Sequence, residues 1–238
     1  MLTRRMFVAA APAALVAACA RPEEVTRAAT ADLPPPPPMP AHYGAVPDEP
    51  YPVPAIPEGI VPPQFWRQEI ESPFPNLAVP EADLPVGTVV VDADANFLYL
   101  IQPDGKALRY GVGTGAAAYA WSGEARMQWK QKWPRWKAPD SMIARRPEFA
   151  PYSVANGGMA PGPGNPLGAR ALYLFQNGED TLYRIHGACE PHYVGKAVSS
   201  GCIRLLDQDA IDLYDRVREG ARVIVLPSTK PAGLASLY

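Results

Sequence analysis

The chain has 238 residues, with 22 Lys and Arg against 24 Asp and Glu and a formal charge of −2. That balance excludes the strongly basic footprint of a nucleic-acid-binding surface. Its 30 prolines exceed the average share and crowd before residue 85, which leaves roughly 150 residues for a folded part, still ample for a core.

Thr3-Arg4-Arg5-Met6-Phe7-Val8 has the form of a twin-arginine export signal, and an Ala-rich apolar run follows to Ala18. The run is too short to span a bilayer, so a cleaved signal peptide over residues 1–19 is expected. Val16-Ala17-Ala18-Cys19 is similar to a bacterial lipobox, in which the cysteine is lipidated and becomes the new N-terminus. Ordinary cleavage beside an incidental cysteine is the alternative. Residues 20–83, with Pro34 to Pro38 unbroken, read as a Pro-rich tether with too few apolar residues to form a core. His42 reads as solvated, and Gln64–Ile70 as a mildly aromatic stretch able to pack back on the domain.

Regular patterning begins near Leu84. Gly87–Asp92 and Phe97–Ile101 read as strands separated by a polar turn. Pro103-Asp104-Gly105 turns the chain into a third strand, Ala107–Gly113. Gly111, Gly113 and Gly115 do not make a phosphate loop, because no Lys-Ser/Thr follows them. Residues 121–150 hold Trp121, Trp129, Trp133 and Trp136, interleaved with Lys130, Lys132, Arg135 and Lys137. Burial of most of these indoles against the sheet is the expected reading, and an aromatic, basic surface for a glycan or acidic peptide the alternative. Asn156–Gly168 is a long loop of the kind that often carries function. Ala171–Phe175 and Thr181–His186 form a hairpin across Asn177-Gly178. Asp207 is a candidate N-cap of a helix ending at Gly220, and Arg222–Leu226 is the last strand. Short strands with tight turns predict a mainly β fold with short helices, a sandwich or barrel rather than βαβ units.

Arg184-Ile185-His186-Gly187-Ala188-Cys189 and Ser199-Ser200-Gly201-Cys202-Ile203-Arg204 concentrate the reactive groups. A thiol nucleophile needs a base or ion-pair partner near neutral pH, and Cys202 with His186 supplies one. Gly201 allows a sharp turn that frees backbone amides for an oxyanion. Two other uses of these residues compete. His186, Cys189, His192 and Cys202 have the donor types of a zinc site. Cys189 and Cys202 in an oxidising compartment could pair as a disulfide.

At these residues the chain resembles the YkuD-type L,D-transpeptidase catalytic domain. That family carries His-Gly, a gap of about this size, then Ser-His-Gly-Cys, a hydrophobic residue and Arg or Asn. Ser200 stands where most members have His, so His186 carries the base role alone. The resemblance covers residues 84–227 and leaves 228–238 as a C-terminal tail. It implies a β-sandwich or barrel with a catalytic cysteine loop. It implies Cys202 as nucleophile, His186 as general acid/base and the Gly187 carbonyl as the group orienting His186. The backbone at Ser200 and Gly201 would form the oxyanion hole, Ser199 and Arg204 would contact substrate, and no metal or cofactor is called for. The implied activity is cross-linking of peptidoglycan in the periplasm, by acyl transfer from a stem tetrapeptide cut between meso-diaminopimelate and D-alanine. Implied partners are stem peptides, an anchored wall protein, and the membrane through a lipid on Cys19; nucleic acid is not among them. An L,D-carboxypeptidase or peptidoglycan–protein amidase would use the same pair. A non-catalytic, zinc- or disulfide-stapled wall-binding lipoprotein is the reading from a different class.

Overall fold

A computed structural model describes residues 37–74, 84–115, 121–199 and 202–229. The expected signal peptide with Cys19 lies outside the described residues, as do Ser200 and Gly201. The protein is mainly β with few short helices. Nine strands make one mixed sheet: β1 (Gln68–Glu71), β2 (Val89–Asp92), β3 (Phe97–Ile101), β4 (Lys106–Gly111), β6 (Gly123–Lys132), β7 (Arg170–Gln176), β8 (Glu179–His186), β10 (Ile203–Arg204) and β11 (Arg222–Val225). Their order is β1-β4-β3-β2-β11-β6-β7-β8-β10, and β5 (Thr114–Gly115) pairs separately with β9 (Ala197–Ser199). Among the described residues the α-helices are α1 (Asp140–Arg145) and α2 (Asp207–Arg216).

Local chemistry accounts for the hairpins. Asn177 and Gly178 have φ of 52° and 83°, the left-handed pair a tight turn between right-twisted strands requires. Asp104 and Gly105 turn β3 into β4 in the same region of φ. Along the strands, Val89, Val91, Leu98, Leu100, Leu172, Leu174 and Ile185 alternate inward. They meet Ala210, Leu213 and Val217 of and after α2 in one cluster, so both halves of the sheet share a core. The β11 strand enters the middle of the sheet, parallel to β2 and antiparallel to β6.

Three expectations need correction. Residues 37–74 are not a spacer. Tyr43 and Val61 are 1% exposed and share a cluster with Cys189, Val194 and Leu206. Tyr43 Oη donates to Asp209 of α2 and accepts from the Arg67 amide at 2.7 Å, and β1 pairs with β4. Most of the few apolar residues in this proline-rich stretch pack on the domain, Ile60 being exposed, so a low apolar count did not mean a solvated chain. Second, β6 was not anticipated as a strand. Its buried Ala125 and Met127 alternate with exposed neighbours, the mark of a half-buried strand, up to an irregularity between Met127 and Trp129. Third, Asp207 is not an N-cap. Leu206 occupies that position without a side-chain cap bond, and the Asp207 carboxylate instead accepts from the Ala169 and Ala188 amides.

Candidate active site

The site lies at the β10 edge of the sheet and is built by strand register. β8 and β10 run parallel, with Ile203 opposite Ile185 and Arg204 opposite His186. Both isoleucines point into the core. Alternation therefore puts His186, Arg184, Arg204 and Cys202 on the opposite face, with Cys202 beside Arg184. The Arg184 backbone N–H donates to the Cys202 sulfur. β10 is secured on its other side by reciprocal 2.9 Å bonds between Gly113 and Arg204.

His186 is 2% exposed, and its Nδ1 lies 2.8 Å from the Gly187 carbonyl oxygen. A carbonyl only accepts, so Nδ1 carries a proton and Nε2 is left as the lone-pair nitrogen. Burial, then the Arg204 charge, pushes the imidazole pKa down to about 3, against the opposing pull of the Gly187 contact. Burial likewise raises the Cys202 thiol, while Arg204 and Arg184 draw it back. The resting pair is a thiol and a neutral imidazole. The two guanidinium groups favour negative charge at this face and oppose positive charge.

The turn after His186 is held from below. Asp207 Oδ1 accepts from the Ala169 amide at 2.8 Å and the Ala188 amide at 3.1 Å. A Cβ on Gly187 would overlap that same oxygen. Gly187→Ala must therefore displace the turn that presents the carbonyl to His186. Such overpacking costs about 1–3 kcal/mol, and the misplaced base should lower turnover by roughly 10²-fold. Parallel melting curves and turnover assays on Gly187→Ala check this; unchanged turnover would show that the turn does not aim the histidine.

The other candidates are distributed as follows. Arg204 is half-buried, and its Nε has no hydrogen-bond partner; no carboxylate among the described residues pairs with it. Ser199 ends β9, whose backbone pairs with Thr114 and Gly115. Cys189 and Cys202 are not joined in a disulfide, and the Cys189 thiol is buried and pushed up to about 12 by that burial. Among the described residues no three His, Cys, Asp or Glu side chains are grouped to hold a metal ion. His192 is exposed, 3.7 Å from Glu190. Of the tryptophans, Trp133 and Trp136 are buried and Trp129 is 40% exposed. The long loop at 156–168 is pinned by Asn165, which donates at 3.0 Å to the Pro134 and Ala160 carbonyls. Sequence reasoning missed Arg184 and Asp207 as site residues. Their signal was strand alternation with His186 for the first; the second has none, because its partners are 19 and 38 residues away. A separate cavity of about 1040 Å³, lined among others by Thr88, Gln102, Arg126 and Arg222, opens beside β2, β6 and β11 and contains none of these groups.

Fold and site together define a mainly β protein with a cysteine and a buried, carbonyl-oriented histidine on adjacent strands of one sheet edge. Residues 87–225 match the YkuD family model, the L,D-transpeptidase catalytic domain, and the chain belongs to that family. It is 32% identical over 160 residues to the probable L,D-transpeptidase ErfK/SrfK of Escherichia coli K12, covering 61% of this chain and 47% of that protein. It is 34% identical over 97 residues to a putative L,D-transpeptidase from the ATP synthase subunits region of Fuscovulum blasticum, covering 41% and 46%. The chain thus spans less than half the length of these relatives. Among solved structures, a Brucella melitensis protein described as a probable carnitine operon oxidoreductase is 39% identical, with a TM-score of 0.45 and coverage of 69% of this chain and 95% of that one.

Proposed function

We propose that this protein is an L,D-transpeptidase that cross-links peptidoglycan through an acyl-enzyme on Cys202. The observation that carries the reading is the His186 Nδ1–Gly187 contact, which leaves Nε2 as the proton acceptor on the face that also bears Cys202. The Cys202 sulfur attacks the diaminopimelate carbonyl of a stem tetrapeptide, and the thiol proton passes to His186 Nε2 as the sulfur–carbon bond forms. The backbone at Ser200 and Gly201 receives the oxyanion. Collapse breaks the carbon–nitrogen bond, and His186 returns the proton to the departing D-alanine amine. An acceptor amine then attacks the thioester, giving up its proton through His186 so that the thiol is restored. Arg204, a cation near the nucleophile without an acid partner among the described residues, supports a substrate carboxylate as its counter-charge. The leader motifs support export to the periplasm and lipid anchoring through Cys19.

Mass spectrometry of the reduced protein with a disaccharide-tetrapeptide tests the reaction. Loss of D-alanine with dimer formation is expected; D-alanine loss without dimers points to a hydrolase, and neither product ends the reading. The protonation state has its own check. Because the thiol is raised and the imidazole stays neutral down to about 3, alkylation of Cys202 by iodoacetamide should rise about tenfold per pH unit from 6 to 8. It should level off only above the ordinary thiol range, around 8.5. A rate flat between pH 6 and 8 would mean a preformed thiolate–imidazolium pair.

A further inference from the structure

The register that aligns Cys202 with Arg184 continues across the sheet. Arg184 pairs with Tyr173 of β7, and Tyr173 with Trp129 of β6. These three side chains form a stack. The Trp129 and Tyr173 rings are parallel within 6° at 3.6 Å, and the Arg184 guanidinium covers the other face of Tyr173 at 4.5 Å. Asp180 grips Arg184 through two 2.7 Å bonds, so the stack is braced at its inner end. Tyr173 is 8% exposed, sealed between its neighbours, whereas Trp129 is 40% exposed. Neither ring belongs to the apolar clusters of the core. A large indole held flat and rigid outside the core is costly surface unless something stacks on it.

We propose that the free face of Trp129 is a sugar subsite, which takes a pyranose ring of the glycan strand bearing the donor stem. The proposal rests on the peptidoglycan donor argued above. Reach supports it. From the Cys202 position to Trp129 is three strand spacings, about 14 Å at about 4.8 Å each, and a sugar on the indole's far face lies one stacking distance, about 4.5 Å, beyond it. A tetrapeptide cut before its last residue leaves three residues between the attacked carbonyl and the sugar, about 10–11 Å when extended, with the linking group adding the rest. Chemistry supports it too. Gln131 follows on the same face and Gln128 sits in the adjoining irregularity of β6, both exposed. A flat apolar ring edged by neutral amides matches a pyranose, which has an apolar C–H face and a rim of hydroxyl and acetamido groups. A bare peptide gains nothing comparable there.

The test compares kcat/KM for a disaccharide-tetrapeptide and the free tetrapeptide in the wild type, Trp129→Ala and Trp129→Tyr. Wild type should prefer the glycan-bearing donor, and Trp129→Ala should shrink that preference roughly threefold to tenfold, the range of one aromatic stacking contact. Trp129→Tyr, which keeps a ring, should restore most of it. A preference unchanged while both donors fall together would reveal a purely structural tryptophan and overturn the proposal. A second measurement does not depend on turnover. Titrating Cys202→Ala protein with an N-acetylglucosamine oligomer should shift the indole N–H resonance that Trp129→Ala removes. A shift with neither donor consumed sustains the sugar site and fails the transpeptidase reading; no shift fails the sugar site.

Discussion

Cys202→Ala is expected to abolish acyl transfer, by at least about 10³-fold, because the thiol forms the only covalent bond to substrate and no neighbouring group can replace it. Its stability should barely move, since Cys202 is half-buried and belongs to none of the apolar clusters. Cys189→Ala should show the opposite pattern. Cys189 is 6% exposed and packs with Tyr43, Val61, Val194 and Leu206, so losing its sulfur costs about 1 kcal/mol of packing. Its thiol, pushed up to about 12, supplies no nucleophile. The paired comparison is decisive because the cysteines lie 13 residues apart in one conspicuous stretch. Melting curves and product analysis on both variants separate the cases. Full activity in Cys202→Ala would remove Cys202 from the mechanism, and loss of activity in a folded Cys189→Ala would bring Cys189 into it.

The second large effect concerns the proline-rich segment. A chain starting at Leu84 should be poorly folded, and Tyr43→Ala alone should cost about 3–5 kcal/mol, as for other large buried aromatics. Against a total stability of about 5–15 kcal/mol, that single change should lower the melting temperature by roughly 10 °C or more. The attachment is distributed. Gln208 of α2 donates to the Gly44 and Pro54 carbonyls, Arg67 reaches Asp212 at 3.0 Å, and Glu49 is held by Arg170 and Trp133. Phe65 packs so closely on Gly195 that a Cβ there would overlap its ring. Since Gly195 belongs to the turn feeding β9 and Cys202, truncation should weaken catalysis as well as stability. Thermal melts of the two variants check this; an unchanged melting temperature for the Leu84 chain would restore the spacer.

How much was legible in advance follows the range of each interaction. The Asn177-Gly178 turn and the strands around it were readable because they depend on local φ preferences and alternation, and residue chemistry marked His186 and Cys202 as candidates, which the parallel register of β8 and β10 places on adjacent strands. The Gly187 carbonyl was named through the family resemblance alone. Asp207 looked like a helix cap because its nearest neighbours are helical, yet its carboxylate is drawn to two amides that only the fold brings within reach. The indoles looked alike in the sequence, but Trp133 and Trp136 fell on buried positions and Trp129 on the outer face of β6.

By itself, then, the amino-acid sequence determined the β class and the hairpins and singled out His186 and Cys202 as candidates, all from a few neighbouring residues. Tertiary structure alone decided that residues 37–74 are part of the domain, that β11 lies between β2 and β6, and that Trp129, Tyr173, Arg184 and Cys202 share a row. These depend on pairings between segments tens to more than a hundred residues apart. Such pairings are chosen by the collective burial of one core, which no local pattern encodes.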